Sequence, residues 1–276
     1  MKRTVLALGL LVLFATSGFA QSKYASAETE TIIDKMIEAH GGYDKWKNLE
    51  TLSFQNIMFS AGLPGSPFWI SRITLDMKGR KVYQDWPLHE DSMAYNGEEA
   101  WGVNWRLGNP PKFEALFFYY FVNLPWLTKD DNVRLGEVEK IDHPTLQKPV
   151  YRVEMTFTEK PAVGKTAADK FVLFIAADNY QLAAYEYTMG YGHMLDLMGI
   201  PEGQLLGPMF RVNQYYKNVG GLLFPVLFKT GNTDLSQTYG NHAITDYALN
   251  GTFDQKRMQK PANAVVDTSS EFRKAK

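Results

Sequence analysis

The apolar positions of the chain follow two periods. From Glu28 to His40 the residues Ile32, Ile33, Met36 and Ile37 recur at three- and four-residue intervals, the spacing of one helix face. Glu28 and Glu30 complement the N-terminal dipole, and Thr31 with Asp34 three residues on resembles a capping box. Gly41-Gly42 supplies the left-handed stop, and Trp46 and Leu49 follow in a short docking segment. From Glu50 the period becomes two. Leu52 and Phe54 open a strand whose phase shifts by Ile57 and Phe59, which predicts a bulge. The next strand places Trp69, Ile73, Leu75 and Met77 on one face, and a third places Arg80, Val82, Gln84 and Trp86 on the same side. Between the first two, Gly62 to Pro67 is apolar for a turn and is expected to form a flexible lip. Asn96-Gly97, between Asp91–Tyr95 and Ala100–Trp105, is a strong hairpin signal.

The stretch Phe113 to Leu127, FEALFFYYFVNLPWL, breaks this rhythm. It is apolar all round, so it has no solvent face, and it is shorter than the roughly 20 residues a bilayer requires. A short helix buried on several sides, ending near Pro125, is expected. It would be either a core helix or one lying over a curved sheet and touching an apolar ligand.

A second run of strands follows. Val133–Ile141 is weak; Tyr151, Val153, Met155 and Phe157 alternate with polar residues. Phe171–Ala176 is apolar on both faces and therefore central. Leu182–Met189, Phe210–Tyr216, Leu222–Phe228 and Ala243–Leu249 complete the set, and Pro225 argues that its strand is an edge. Between them, Gly190 to Pro208 carries Met194, Leu195, Leu197, Met198 and Ile200 among four glycines and two prolines. It reads either as a methionine-rich flap adapted to apolar surfaces or as a loop with one core-packing turn.

Composition sharpens the setting. Lys2-Arg3, the apolar Val5–Phe14 and the small residues Gly18-Phe19-Ala20 form a secretory signal peptide cleaved after Ala20. No cysteine follows to carry an acyl anchor. Residues 21–276 are expected to be one domain, periplasmic or secreted and not membrane-spanning. Without the leader, 27 basic residues face 30 acidic ones, which removes any electrostatic case for nucleic acid. With no cysteine in 276 residues, disulfides, thiol catalysis and cysteine metal sites are excluded.

Chemistry-bearing motifs are sparse. The histidines His40, His89, His143, His193 and His242 form no HExxH pair, and no metal or other cofactor is expected. His89-Glu90-Asp91 would chelate poorly, because strand neighbours point to opposite faces. Gly164-Lys165-Thr166 lacks the earlier glycine of a phosphate loop, where Glu159 stands. There is no GxSxG elbow. Arg80 stands out: in a regular strand it would share a face with Val82 and Trp86. It would then either snorkel to water or hydrogen-bond the carbonyls of a covering helix and hold a cavity shut.

Three passages carry a resemblance. Lys78-Gly79-Arg80 before an aromatic strand, Asn96-Gly97-Glu98-Glu99-Ala100-Trp101, and Leu249 to Pro261 resemble segments of the LolA/LolB-like periplasmic lipoprotein-carrier superfamily. The likeness spans most of the chain after the leader. The chain departs from the family in its greater length, in the extra Gly190–Pro208 segment, and in lacking a proline after the arginine. The resemblance implies an α+β fold, mostly antiparallel: an open, incomplete β-barrel (half-barrel) covered by helices. It also implies a non-catalytic role, with lipid or an acylated protein held in an apolar cavity and a membrane-bound donor and acceptor as partners. Arg80 would gate closure, with Trp86, Trp101, Phe117, Phe121, Trp126, Met194 and Met198 lining the cavity. An envelope hydrolase acting on lipid or glycan, and an interaction module without a cavity, remain as alternatives.

Overall fold

The computed structural model describes residues 22–59 and 68–272. The expected leader and the expected lip at Gly62 to Pro67 lie outside the described residues. Two antiparallel meanders make one sheet. The first comprises β1 (Thr51–Phe59), β2 (Phe68–Asp76), β3 (Lys81–Trp86), β4 (Asp91–Tyr95) and β5 (Ala100–Val103). The second comprises β8 (Lys148–Phe157), β9 (Lys170–Ala176), β10 (Leu182–Met189), β11 (Leu206–Val219), β12 (Leu222–Gly231) and β13 (Thr238–Leu249). Pairing of β1 with β13 joins them. Short β14 (Val265–Val266) extends the β5 end, while β6 (Val133–Leu135) and β7 (Glu139–His143) both pair with β8. The two ends of the sheet do not meet, so it is an open half-barrel with few helices.

This order explains the apolar stretch. The chain must travel from β5, near one end of the sheet, to β6 at the other. It does so inside the curve, through α3 (Pro111–Glu114) and α4 (Phe117–Leu127). Rings of α4 meet β1, β9, β10 and β12: Phe118 packs on Phe54, Tyr120 on Phe171, Phe121 on Tyr185, and Trp126 on Phe224. Every α4 residue except Phe117 is buried, so a polar face would have nowhere to go. The stretch is two helices rather than one, broken where Leu116 adopts φ 60°. α4 ends at Leu127, near Pro125 as expected, with the proline in its last turn. Polar bonds secure that end. Trp46 Nε1 donates to Asn123 Oδ1 (2.7 Å), Asn123 Nδ2 to the Tyr119 carbonyl (2.9 Å), and Thr128 Oγ1 to the Pro125 carbonyl (2.7 Å).

The amphipathic helix α1 (Ala27–Ala39) buries Ile32, Ile33, Met36 and Ile37, as its period predicts. Its cap is Ser26, whose hydroxyl accepts from the Thr29 amide, whereas Thr31 bonds back to the Ala27 carbonyl. The Thr31–Asp34 capping box is therefore not formed. At the other end His40-Gly41-Gly42 docks the helix onto the β11–β12 turn. The Leu223 amide donates to the His40 carbonyl (3.0 Å), and a Cβ on Gly41 would stand 2.1 Å from the Gly221 oxygen. The Gly42 carbonyl accepts from Trp126 (3.1 Å), and α2 (Tyr43–Lys47) follows.

Two further expectations change. β12 is interior, between β11 and β13, although it contains Pro225. Register shifts in β11 around Tyr215 and Tyr216 open the ladder opposite the proline, which can replace an edge position. The bulge of β1 lies between Ser53 and Gln55, with the one extra residue in β13 where Asp246 adopts φ 55°. Ile57 does not change faces there. The inward position is taken by a polar residue, Asn56.

Phe171–Ala176 is central as expected. Phe171, Leu173 and Ile175 join the main core, while Val172 and Phe174 build a second small core with Val150, Ala184 and Phe210. Among the described residues no helix is long and apolar enough to cross a membrane.

Candidate functional site

A cavity of about 580 Å³ opens between the concave face of β1–β4 and β11–β13 and the α3–α4 segment. Its walls are apolar and aromatic, with Met58, Trp69, Trp86, Leu107, Phe113, Phe117 and Phe118. Its floor is polar, and strand register explains the pattern. One cross-strand row runs Tyr185–Arg211–Thr230 over β10, β11 and β12. The next runs Phe228–His242–Met58–Trp69, and a third Ile244–Asn56–Ser71. Asn56, Ser71, Arg211, Thr230 and His242 thus occupy inward positions that elsewhere in the sheet hold Leu, Ile or Phe.

These groups are only partly satisfied. His242 Nδ1 is 3.0 Å from Asn56 Oδ1, an oxygen that can only accept, so that nitrogen carries the proton. Burial, and secondly Arg211, hold the His242 pKa well below its ordinary value, leaving the ring neutral. Ser71 Oγ, Thr230 Oγ1, Trp69 Nε1 and Arg211 Nη1 have no hydrogen-bond partner among the described residues. Arg211 is 6% exposed, and its guanidinium carbon lies 3.9 Å from the Phe121 ring centre and 4.6 Å from that of Phe228. Burial lowers its pKa, with Tyr185 opposing. Asp91 and Glu114 also line the cavity. Asp91 accepts from the Arg106 amide (2.9 Å) and Nη2 (3.3 Å), and Glu114 from Asn109 (2.6 Å). Desolvation raises the Glu114 pKa.

Of the residues singled out in the sequence, Trp86 and Phe117 line this cavity. Phe121 backs it by covering one face of Arg211. Trp101 is buried outside the lining, and Trp126 stacks on Trp46 at the far end of α4 (5.9 Å between ring centres). The Gly190–Pro208 segment contains a short helix, α5 (Gly192–Leu197). Met194 is buried against the main core and Met198 is 53% exposed. Arg80 precedes β3 in a turn at φ 48°, so it does not follow the alternation of Val82 and Trp86. Its Nη2 is 2.7 Å from both carboxylate oxygens of Asp130, just beyond α4, and its guanidinium lies over Tyr119. His193 and Asp196 share a separate groove with Val265–Ser270.

The polar floor escaped sequence reading because each member is isolated in its own strand. The available signal was the interruption of apolar alternation at Asn56, Ser71 and Gln84.

The fold is LolA-like. The chain is similar to a LolA superfamily protein from Nitrosomonas europaea, with 15% identity and a TM-score of 0.52 over 84% of this chain and 97% of that one. It is also similar to an outer-membrane lipoprotein-sorting protein domain from Vibrio parahaemolyticus, with 12% identity and a TM-score of 0.50 over 84% and 96%. No family model and no curated protein matches the chain.

Proposed function

We propose that the protein is an exported, non-catalytic carrier that holds a lipid or an acyl chain in the cavity beneath α3–α4. The carrying observation is the cavity itself. Its 580 Å³ falls within the roughly 300–1,000 Å³ typical of small-molecule sites, and rings from both the sheet and the helices wall it. A helix crossing the concave face leaves this space open at the N-terminal end of α4 and fills the rest. The LolA-like fold agrees with such a role. Among the described residues Ser71 Oγ bonds to no histidine, so the cavity holds no assembled Ser–His pair.

In this reading the leader directs the chain to the periplasm, and a membrane-bound donor and acceptor load and unload it. Arg80 acts by restraint, tying the turn before β3 to the segment after α4. The test is native mass spectrometry on protein exported through its own leader and purified without detergent. Adducts that release as lipids or acyl chains are expected. A clean apo mass, together with no tryptophan response to added fatty acids or phospholipid, would overturn the proposal.

A further inference from the structure

Arg211 is a cation without a visible counter-charge. It makes no ion pair among the described residues, and residues 60–67, next to β1 and β2, contain no Asp or Glu. The two acids on the cavity wall are engaged by Arg106 and Asn109. A buried charge left unpaired is costly, so retention of an arginine at the floor of an aromatic cavity calls for an anion from outside the chain.

Geometry narrows that anion. Phe121 and Phe228 lie against the guanidinium, and its buried Nη1 has no hydrogen-bond partner among the described residues. Thr230 Oγ1, paired with Arg211 in the ladder, is a second unfilled donor. A planar edge with an adjacent hydroxyl suits a species with two coplanar acceptor oxygens. The local charge is single, because the neighbouring His242 is neutral and already bonded to Asn56. One negative charge therefore balances the site, and a phosphate dianion would exceed it. The other walls, Trp86, Phe113, Phe117 and Phe118, offer an apolar enclosure for the remainder of the molecule.

We infer that the cavity binds a single-chain amphiphile by its terminal carboxylate, with Arg211 and Thr230 as the anchor and the chain against the aromatic walls. This rests on the carrier reading and narrows its cargo to a free fatty acid rather than a chain esterified to a protein.

The test uses delipidated, leader-processed protein and three probes of equal chain length: palmitate, hexadecanol and hexadecyl phosphate. Palmitate is expected to bind at least about tenfold more tightly than hexadecanol, the scale of a hydrogen bond to a charged group. Hexadecyl phosphate is expected to bind no better than palmitate. Arg211→Met, which keeps an unbranched apolar stem between the two rings, should bring palmitate to the affinity of hexadecanol and leave the alcohol unchanged. Should that variant not fold by circular dichroism, the wild-type comparison and Thr230→Val, expected to weaken palmitate alone, decide the matter. Equal affinity of acid and alcohol overturns the carboxylate anchor but leaves the carrier reading standing. A phosphate preference that depends on Arg211 overturns the choice of carboxylate. Binding of none of the three overturns the single-chain amphiphile, while the carrier reading then rests on the adduct and phospholipid measurements above.

Discussion

At the scale of the residue, His40 converts a sequence motif into a pH-dependent stability. Its Nδ1 lies 2.8 Å from the Met36 carbonyl, so that nitrogen holds the proton, and Nε2 has no partner among the described residues. Trp126 and Tyr216 pack edge-on against the ring. Burial holds its pKa down at about 4, against an ordinary value of 6.5. The folded ring stays neutral while the unfolded one charges below pH 6.5. The stabilising contribution is therefore present above that pH and is lost as pH falls toward 4. Between pH 7 and pH 5 the loss from this residue is about 2 kcal/mol. His242 is shifted in the same direction. Urea titrations at the two pH values should show the loss, and His40→Gln should be less stable at pH 7 yet lose less on acidification. An unchanged pH slope in the variant would remove His40 from the account. The motif His40-Gly41-Gly42 was legible as a helix stop because glycine has few other reasons to double there. That it is also a docking point was not, since the partner at Gly221 lies in a distant hairpin.

At the scale of the element, α4 depends on bonds that its composition hides. Asn123 is fully buried and bridges Trp46 to the Tyr119 carbonyl. Removing one partner strands the other in an apolar setting. Trp46→Phe and Asn123→Leu should thus each cost about 1–3 kcal/mol from the unsatisfied group alone. The double variant should cost less than their sum, because it removes both polar groups together. Additive costs in chemical denaturation would mean that the bond is not made. The run Phe113 to Leu127 announced burial plainly, whereas its break at Leu116 carried no glycine or proline to reveal it. Pro225 misled for a related reason: its effect on pairing depends on the register of β11, which is settled by tertiary structure. The strands themselves were readable wherever one face was apolar. The cavity was not, because Arg211, Thr230, His242, Asn56 and Ser71 come from five strands and converge only once those strands are in register.

At the scale of the whole molecule, the two meanders are unequal, and the inequality sets where motion should occur. The second contains strands with apolar burial on both faces: β9 contributes Phe171, Leu173 and Ile175 to one core and Val172 and Phe174 to another. In the first, β2 buries Ser71, Ile73 and Leu75 on its inner face while Arg72 is exposed on the other. Strands β1 to β4 of that meander border the cavity, as β11 to β13 of the second do but β9 and β10 do not, and side chains there lack neighbours on one side and lose part of their packing. Segments with less apolar burial open by smaller, local fluctuations, while doubly packed strands open only with global unfolding. Amide hydrogen exchange on the ligand-free protein should accordingly find β9 and β10 slowest and β2 to β4 and α3 faster. A ligand that binds only the folded form stabilises it by about 2.7 kcal/mol at one hundred times its dissociation constant. If the ligand sits in the cavity, part of that effect must appear as added protection in β2 to β4 and α3, the segments whose opening would release it. Protection confined to β9 and β10 would place the ligand elsewhere. Equal exchange in the two meanders before binding would contradict the asymmetry itself.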